Sequence, residues 1–244
     1  MSFCLRILPY LLSLLAINTN LGLEAIAAFA SSPSVEQVAQ TIVVRIEGTS
    51  KGSGVIVDRQ GTTYTVVTNA HVVKKSGTYI IVTPDRKCYA IESPAVKQVP
   101  NRDLAILRFS SPIDYSIAKA RNADRLQIGQ NVYVSGWARP VEPLYSRVFI
   151  QTEGKLTELN SQLPQGYSLT YTNLVRVGMS GGPVLNREGQ LLGINGLVRF
   201  ADNSDNIVAS GIAINNFDRW YSAVKSKLSI LPGEAVACSR KYLN

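Results

Sequence analysis

Gly178-Met179-Ser180-Gly181-Gly182-Pro183-Val184 sets one serine among three glycines. Glycine has no Cβ, so such a run turns sharply and lets a reacting group come close. In a turn of that kind the amide N–H groups of Gly178 and Ser180 can point at one spot beside the serine oxygen. Donors so placed hold the oxyanion that develops during acyl transfer. The plain alternative is a glycine-rich turn whose serine bonds its own backbone. Short glycine motifs match by chance, so the rest of the chain has to decide.

Acyl transfer by a serine needs a base, and His71 is the only histidine in the chain. It sits in Thr68-Asn69-Ala70-His71-Val72-Val73, just past a run with strand character. Any imidazole base catalysis at neutral pH falls to it. A carboxylate at a strand start orients such a ring, and Asp103 opens the apolar run Leu104-Ala105-Ile106-Leu107. Taken singly, each has a structural reading: a satisfied histidine and a turn-capping aspartate. Taken together, in the order His71, Asp103, Ser180, they form a nucleophile, a base and an orienting acid. The G-x-S-x-G match at residues 178–182 also fits the α/β-hydrolase elbow, but that fold needs a histidine after the serine. None follows Ser180, and strand–helix alternation is missing. The subtilisin order needs an aspartate before the histidine; Asp58 qualifies, again without the α/β pattern.

Around these residues the chain reads as β. Ser34 and Gln37 form a capping box for a short helix at Val35 to Gln40. Six strand runs follow: 41–47, 54–58, 64–68, 79–83, 89–99 and 104–109. The stretch from Ser110 to Gln130 is polar and contains Pro112, as a connection between two units does. Six more strand runs occupy 131–137, 147–157, 167–173, 183–186, 190–198 and 207–214. A helix then starts, capped by Asn215 or Asn216, with Phe217, Trp220, Tyr221 and Val224 at helical spacing. Two sets of six strands without βα alternation predict an all-β fold. It consists of two six-stranded antiparallel barrels with the site in the cleft between them, plus a C-terminal helix. The units are 31–117 and 118–244.

Residues 1–30 read as a signal peptide. Arg6 gives a short positive start, Leu5 to Ile17 are almost wholly apolar, and Ala28-Phe29-Ala30 fits the small-x-small cleavage rule. The mature protein is then secreted or periplasmic, or stays anchored if the segment is uncleaved. Cleavage removes Cys4 and leaves Cys88 and Cys238. Two cysteines in an oxidising compartment suggest one disulfide; two separate buried thiols are the alternative. With one histidine and no CxxC pair, the chain has no zinc signature. The net charge of +8 is spread over isolated pairs such as Lys74-Lys75, which excludes a nucleic-acid binding stripe.

From about residue 35 to 225 the chain resembles a trypsin-like (chymotrypsin-fold) serine peptidase, and within that group the bacterial Deg/HtrA branch. The resemblance rests on Gly52 to Asp58, Thr68 to Val73, Asp103 to Leu107, Gly178 to Pro183 and Leu192 to Asn195. It implies a double barrel and hydrolysis of peptide bonds in a protein or peptide substrate, with no metal or organic cofactor. A binding or scaffold protein that keeps the triad but hydrolyses little is the alternative. The resemblance also assigns a specificity pocket. Leu174 forms its floor, Asn195-Gly196-Leu197-Val198 one wall, and Ser210-Gly211-Ile212 the other. An apolar pocket of this kind accepts Val, Ala or Leu, unless Asp202 or Asp205 reaches in and selects Arg. Met179 stands where animal digestive relatives carry the aspartate used in zymogen activation. After the terminal helix too little chain remains for a PDZ domain, so no PDZ-mediated partner is expected.

Overall fold

A computed structural model of the protein describes residues 33–120, 125–140, 146–200 and 207–243. The predicted signal peptide therefore lies outside the described residues, as do Asp202 and Asp205. Helix α1 (Val35–Ile42) begins with the expected capping box: Gln37 N–H donates to Ser34 Oγ and Ser34 N–H to Gln37 Oε1. It runs two residues further than the sequence suggested, because Ile42 is buried and completes its apolar face.

The chain then enters a sheet built from β1 (Val43–Gly48), β2 (Gly52–Gln60), β3 (Thr63–Thr68), β4 (Thr78–Val82), β5 (Cys88–Glu92), β6 (Lys97–Gln98) and β7 (Ala105–Ser110). The run expected as one strand over 89–99 is two, β5 and β6, parted by a 3-10 turn at Ser93–Ala95. Pro94 lies in that turn and has no N–H to give a ladder. Val44, Ile46, Ile56, Val66, Ile81 and Leu107 fill the interior of this sheet. Tyr64 stacks on Phe109 with ring centroids 5.1 Å apart.

The second sheet is a closed six-stranded barrel. Its strands are β8 (Asn131–Ala138), β9 (Val148–Leu159), β10 (Leu169–Tyr171), β11 (Pro183–Leu185), β12 (Leu191–Phe200) and β13 (Ile207–Ala213). Around the ring they run β10-β13-β12-β11-β8-β9. Helix α2 (Ile214–Val224) follows β13 with no intervening loop, so its N-cap is Ala213 rather than Asn215 or Asn216. Phe217 and Tyr221 of α2 are buried. They join a core shared by both sheets, in which Val55, Val67 and Ile106 meet Leu191, Ile194 and Ile212.

The tail folds as well. Residues Glu234–Val236 form β14, which pairs antiparallel with β5. The first sheet is thus an eight-stranded strip in the order β14-β5-β4-β1-β2-β3-β7-β6. Its two end strands do not bond one another, whereas the second sheet closes on itself. Cys238, just past β14, is disulfide-bonded to Cys88 at the start of β5. A cross-link closing so long a loop stabilises by on the order of 3–5 kcal/mol.

Candidate active site

β3 ends at Thr68, and the chain turns through a short 3-10 segment, Ala70–Val73, that carries His71. Val72 and Val73 are buried there, while the His71 side chain stays 46% exposed. Asp103 is buried just ahead of β7. Its Oδ1 accepts the His71 backbone N–H at 2.8 Å, and its Oδ2 lies 2.6 Å from His71 Nδ1. Asn69 Nδ2 bonds the Asp103 carbonyl at 2.9 Å, tying the two loops together a second time. Burial alone would raise the Asp103 pKa. The bonds from the His71 ring, the Tyr167 hydroxyl and the His71 amide outweigh it and hold the carboxyl below its ordinary value. An ionised carboxylate only accepts, so Nδ1 carries the proton in this pair and Nε2 is free to act as base.

The Ser180 turn is folded by its own glycines. Gly178 has φ +99° and Gly181 φ +86°. A Cβ on Gly181 would lie 2.1 Å from the Ser53 carbonyl oxygen, and one on Gly178 2.6 Å from that of Trp137. Three successive carbonyls point into the protein. Gly178 O accepts from Ser53 Oγ at 2.9 Å and Arg147 Nη2 at 3.0 Å. Met179 O accepts from Gly182 N and from Asn195 Nδ2. Ser180 O accepts from Ser53 N at 2.8 Å. Among the described residues, the N–H groups of Gly178 and Ser180 have no acceptor. A turn with its carbonyls engaged and two amides unengaged is suited to receive negative charge. His71 and Gly178 line one open cavity of about 510 Å³, so imidazole and turn face the same space. Met179 is fully buried in an apolar cluster.

Two residues that sequence reasoning missed hold this arrangement. Tyr167 donates its hydroxyl to Asp103 Oδ2 at 2.6 Å. Arg147, at the start of the β9 hairpin arm, is buried and acts as a clamp. Its Nη1 bonds Ile46 O at 3.1 Å and Glu47 Oε1 at 2.9 Å. Its Nη2 bonds Gly52 O and Gly178 O, each at 3.0 Å, and also Trp137 O. One side chain of the second barrel thereby grips the first sheet and the serine turn. An isolated Tyr between Gly166 and Ser168, and an Arg at the head of the strand run Val148-Phe149-Ile150, carry no sequence signal of these roles.

The residues assigned to the specificity pocket are scattered in exposure. Leu174 is 78% exposed and Val198 52%, whereas Ile212 is fully buried in the shared core. Ile212 therefore does not line an open wall. It is directly opposite Ile194 in the β12–β13 ladder and points into the core with it. Asn195 is buried too, its Oδ1 accepting from Tyr171 OH at 2.9 Å. That same hydroxyl lies 2.9 Å from where a Gly211 Cβ would be, so Tyr171 occupies the space behind the wall.

The chain is similar to known proteins in sequence and in fold. The family model for the trypsin-like peptidase domain matches residues 52–194. A probable periplasmic serine endoprotease DegP-like of Pseudomonas fulva is 28% identical over 150 residues, covering 61% of this chain and 29% of the relative. A serine protease Do-like HtrA of Lactococcus lactis subsp. cremoris is 29% identical over 182 residues, covering 69% and 43%. The chain thus spans less than half the length of these relatives. Among solved structures, an HtrA-type protease with a tripeptide superposes with TM-score 0.64 at 20% identity, covering 78% of this chain and 62% of that one. The Rv3671c protein of M. tuberculosis H37Rv, in an inactive form, gives 0.60 at 20% identity, covering 84% and 96%. Those two likenesses concern the fold.

Proposed function

This chain belongs to the trypsin-like peptidase domain family, and from that premise we propose that it is a serine endopeptidase with the triad His71, Asp103 and Ser180. The observation that carries the reading is the 2.6 Å contact of Asp103 Oδ2 with His71 Nδ1, on the rim of the cavity that also holds Gly178. In the first half-reaction Ser180 Oγ attacks the scissile carbonyl and His71 Nε2 takes its proton. The Gly178 and Ser180 amides bind the oxyanion, and the imidazolium then returns the proton to the departing amine. Water repeats the sequence to release the acyl group. Asp103 keeps the ring in one tautomer and stabilises its protonated form.

The outer half of β12, including the exposed Val198, offers an edge to which an extended substrate adds as a strand. The Tyr171 hydroxyl lies close behind Gly211, which supports a pocket that takes aliphatic residues such as Val, Ala or Leu. One methylene separates substrates by only about 1–3 kcal/mol, and the preference is loose. The disulfide supports action in an oxidising compartment outside the cytoplasm, as do relatives described as periplasmic. Among the described residues no helix is long and apolar enough to cross a membrane.

A fluorophosphonate probe tests the assignment. Stoichiometric labelling at Ser180, lost in Ser180→Ala and strongly slowed in His71→Ala, is expected. Residues of a triad act as a unit, so the double variant should turn over peptide no more slowly than the worse single one. Folded protein that resists the probe would instead be a scaffold.

A further inference from the structure

A second cavity, of about 450 Å³, shares only Arg147 with the one at His71. It lies between α1, the β4–β5 hairpin and the start of the β8–β9 arm, and its walls include Arg45, Arg86, Arg147, Trp137, Phe149 and Val82. Its size falls in the range of small-molecule sites, roughly 300–1,000 Å³.

The charges around it do not balance. Among the described residues, Glu47 is the one carboxylate paired with this cluster. It bonds Arg147 Nη1 at 2.9 Å, lies 3.6 Å from Arg45 Nε, and lies 3.7 Å from Lys51 Nζ. Arg86 has no carboxylate partner among the described residues. The Arg45 side chain is 7% exposed and has no hydrogen-bond acceptor among them. Burial depresses its pKa; Glu47 opposes this, and Arg86 adds to it. A buried cation held only by one ion pair, 3.6 Å from Glu47 and without a hydrogen bond, is costly.

Donors are unmatched as well. Arg45 Nε, Arg147 Nε and Trp137 Nε1 are buried donors without acceptors, and all three belong to residues of this one cavity. The remaining wall is apolar and aromatic. The Arg45 guanidinium lies 5.0 Å over the Trp137 ring, and Trp137 meets Phe149 edge-on with centroids 5.7 Å apart.

We propose that this cavity binds a small organic anion: a carboxylate, held by Arg45 and Arg86, carried on an aromatic or aliphatic group that packs on Trp137 and Phe149. The carboxylate supplies the acceptor that the cationic wall lacks, and the apolar portion covers the rings. The site is separate from peptide hydrolysis and does not depend on it.

Calorimetric titration of the folded, disulfide-bonded Ser180→Ala protein with benzoate tests this, with benzyl alcohol as the uncharged match at equal ionic strength. Saturable one-to-one binding of benzoate, and none of the alcohol, is expected. Arg45→Gln should abolish it. Arg86→Gln, an exposed position that leaves the fold undisturbed, should weaken it about tenfold. N-acetylphenylalanine distinguishes the source of the carboxylate: tighter binding than benzoate assigns a peptide terminus, weaker binding a free small acid. No saturable binding of either acid, equal binding of benzoate and alcohol, or binding that survives Arg86→Gln unchanged would overturn the proposal. The Arg86→Gln arm keeps the test decisive even if Arg45→Gln fails to fold.

Discussion

Tyr167 OH and His71 Nδ1 meet the same atom, Asp103 Oδ2, each at 2.6 Å. The hydroxyl has room because Gly196, on the adjoining strand β12, has no side chain. A Cβ there would lie 2.4 Å from it. A tyrosine from the second barrel thus completes the carboxylate's shell, and burial beside Asp103 pushes the phenol's own pKa far up, keeping it a donor.

Tyr167→Phe removes that donor and little volume. A hydrogen bond to a charged group contributes about 1.5–3 kcal/mol, and a loss of that order in unfolding free energy is expected near neutral pH. Asp103 becomes more basic and holds the imidazolium more tightly. The acid limb of kcat/KM should therefore move to higher pH. A pH–rate profile checks this; a stability loss with an unmoved profile would make Tyr167 merely structural.

Asp103 itself gives a pH dependence of stability. Its folded pKa is below the ordinary carboxylate value, so it contributes stability above the unfolded-state pKa of about 3.9. That contribution disappears as pH falls through the folded value. Denaturant titrations should show wild type more stable than Asp103→Asn at pH 5. Below about pH 4 the gap should shrink. A gap independent of pH down to 2 would sink the idea.

Arg147→Lys keeps a charge near Glu47 but loses the planar fork that spans several carbonyls. With Gly178 O no longer clamped from that side, kcat should fall about tenfold or more, which is some 1.4 kcal/mol of transition-state stabilisation, with KM little changed. Steady-state kinetics, paired with a denaturation midpoint, separate this from simple destabilisation. Unchanged kcat in a destabilised variant would remove Arg147 from the machinery.

The cavity at His71 is lined by Lys51, Lys75 and Arg139, and no acidic side chain among the described residues lines it. Peptides with Asp or Glu just after the scissile bond should be cleaved about two- to fivefold better than those with Lys, as exposed ion pairs allow. The preference should fade in high salt and reverse in Lys75→Glu/Arg139→Glu. Cleavage assays on a matched peptide series decide; indifference to these charges would refute it.

What the sequence made legible was local. The glycine turn at Ser180, the histidine after β3 and the carboxylate before β7 are each written within a few consecutive residues. Most strands were readable by their Val, Ile, Thr and Tyr runs. The supporting contacts were not, because they join distant segments: Tyr167 reaches Asp103 across 64 residues and Arg147 reaches Glu47 across 100. Pro94 split one expected strand, and Ala213 took the helix cap without any side-chain bond. β14 escaped notice because three exposed residues show no alternation. The facing of Ile212 was not legible either, because a strand residue's facing depends on register, and the ladder slips between Asn195 and Leu197.

The outermost strand of the first sheet, β14, comes from Glu234–Val236, and Cys238 locks it beside Cys88. Chains are made from the N-terminus onward, so β5, already paired with β4, waits for its second neighbour until synthesis has passed Val236. A nascent or prematurely stopped chain carries an unpaired strand edge and a lone thiol at Cys88, both prone to the wrong partner. Passage of synthesis beyond Cys238 is thereby written into the surface: molecules that have reached it can seal that edge of β5 and hold Cys88 in the disulfide.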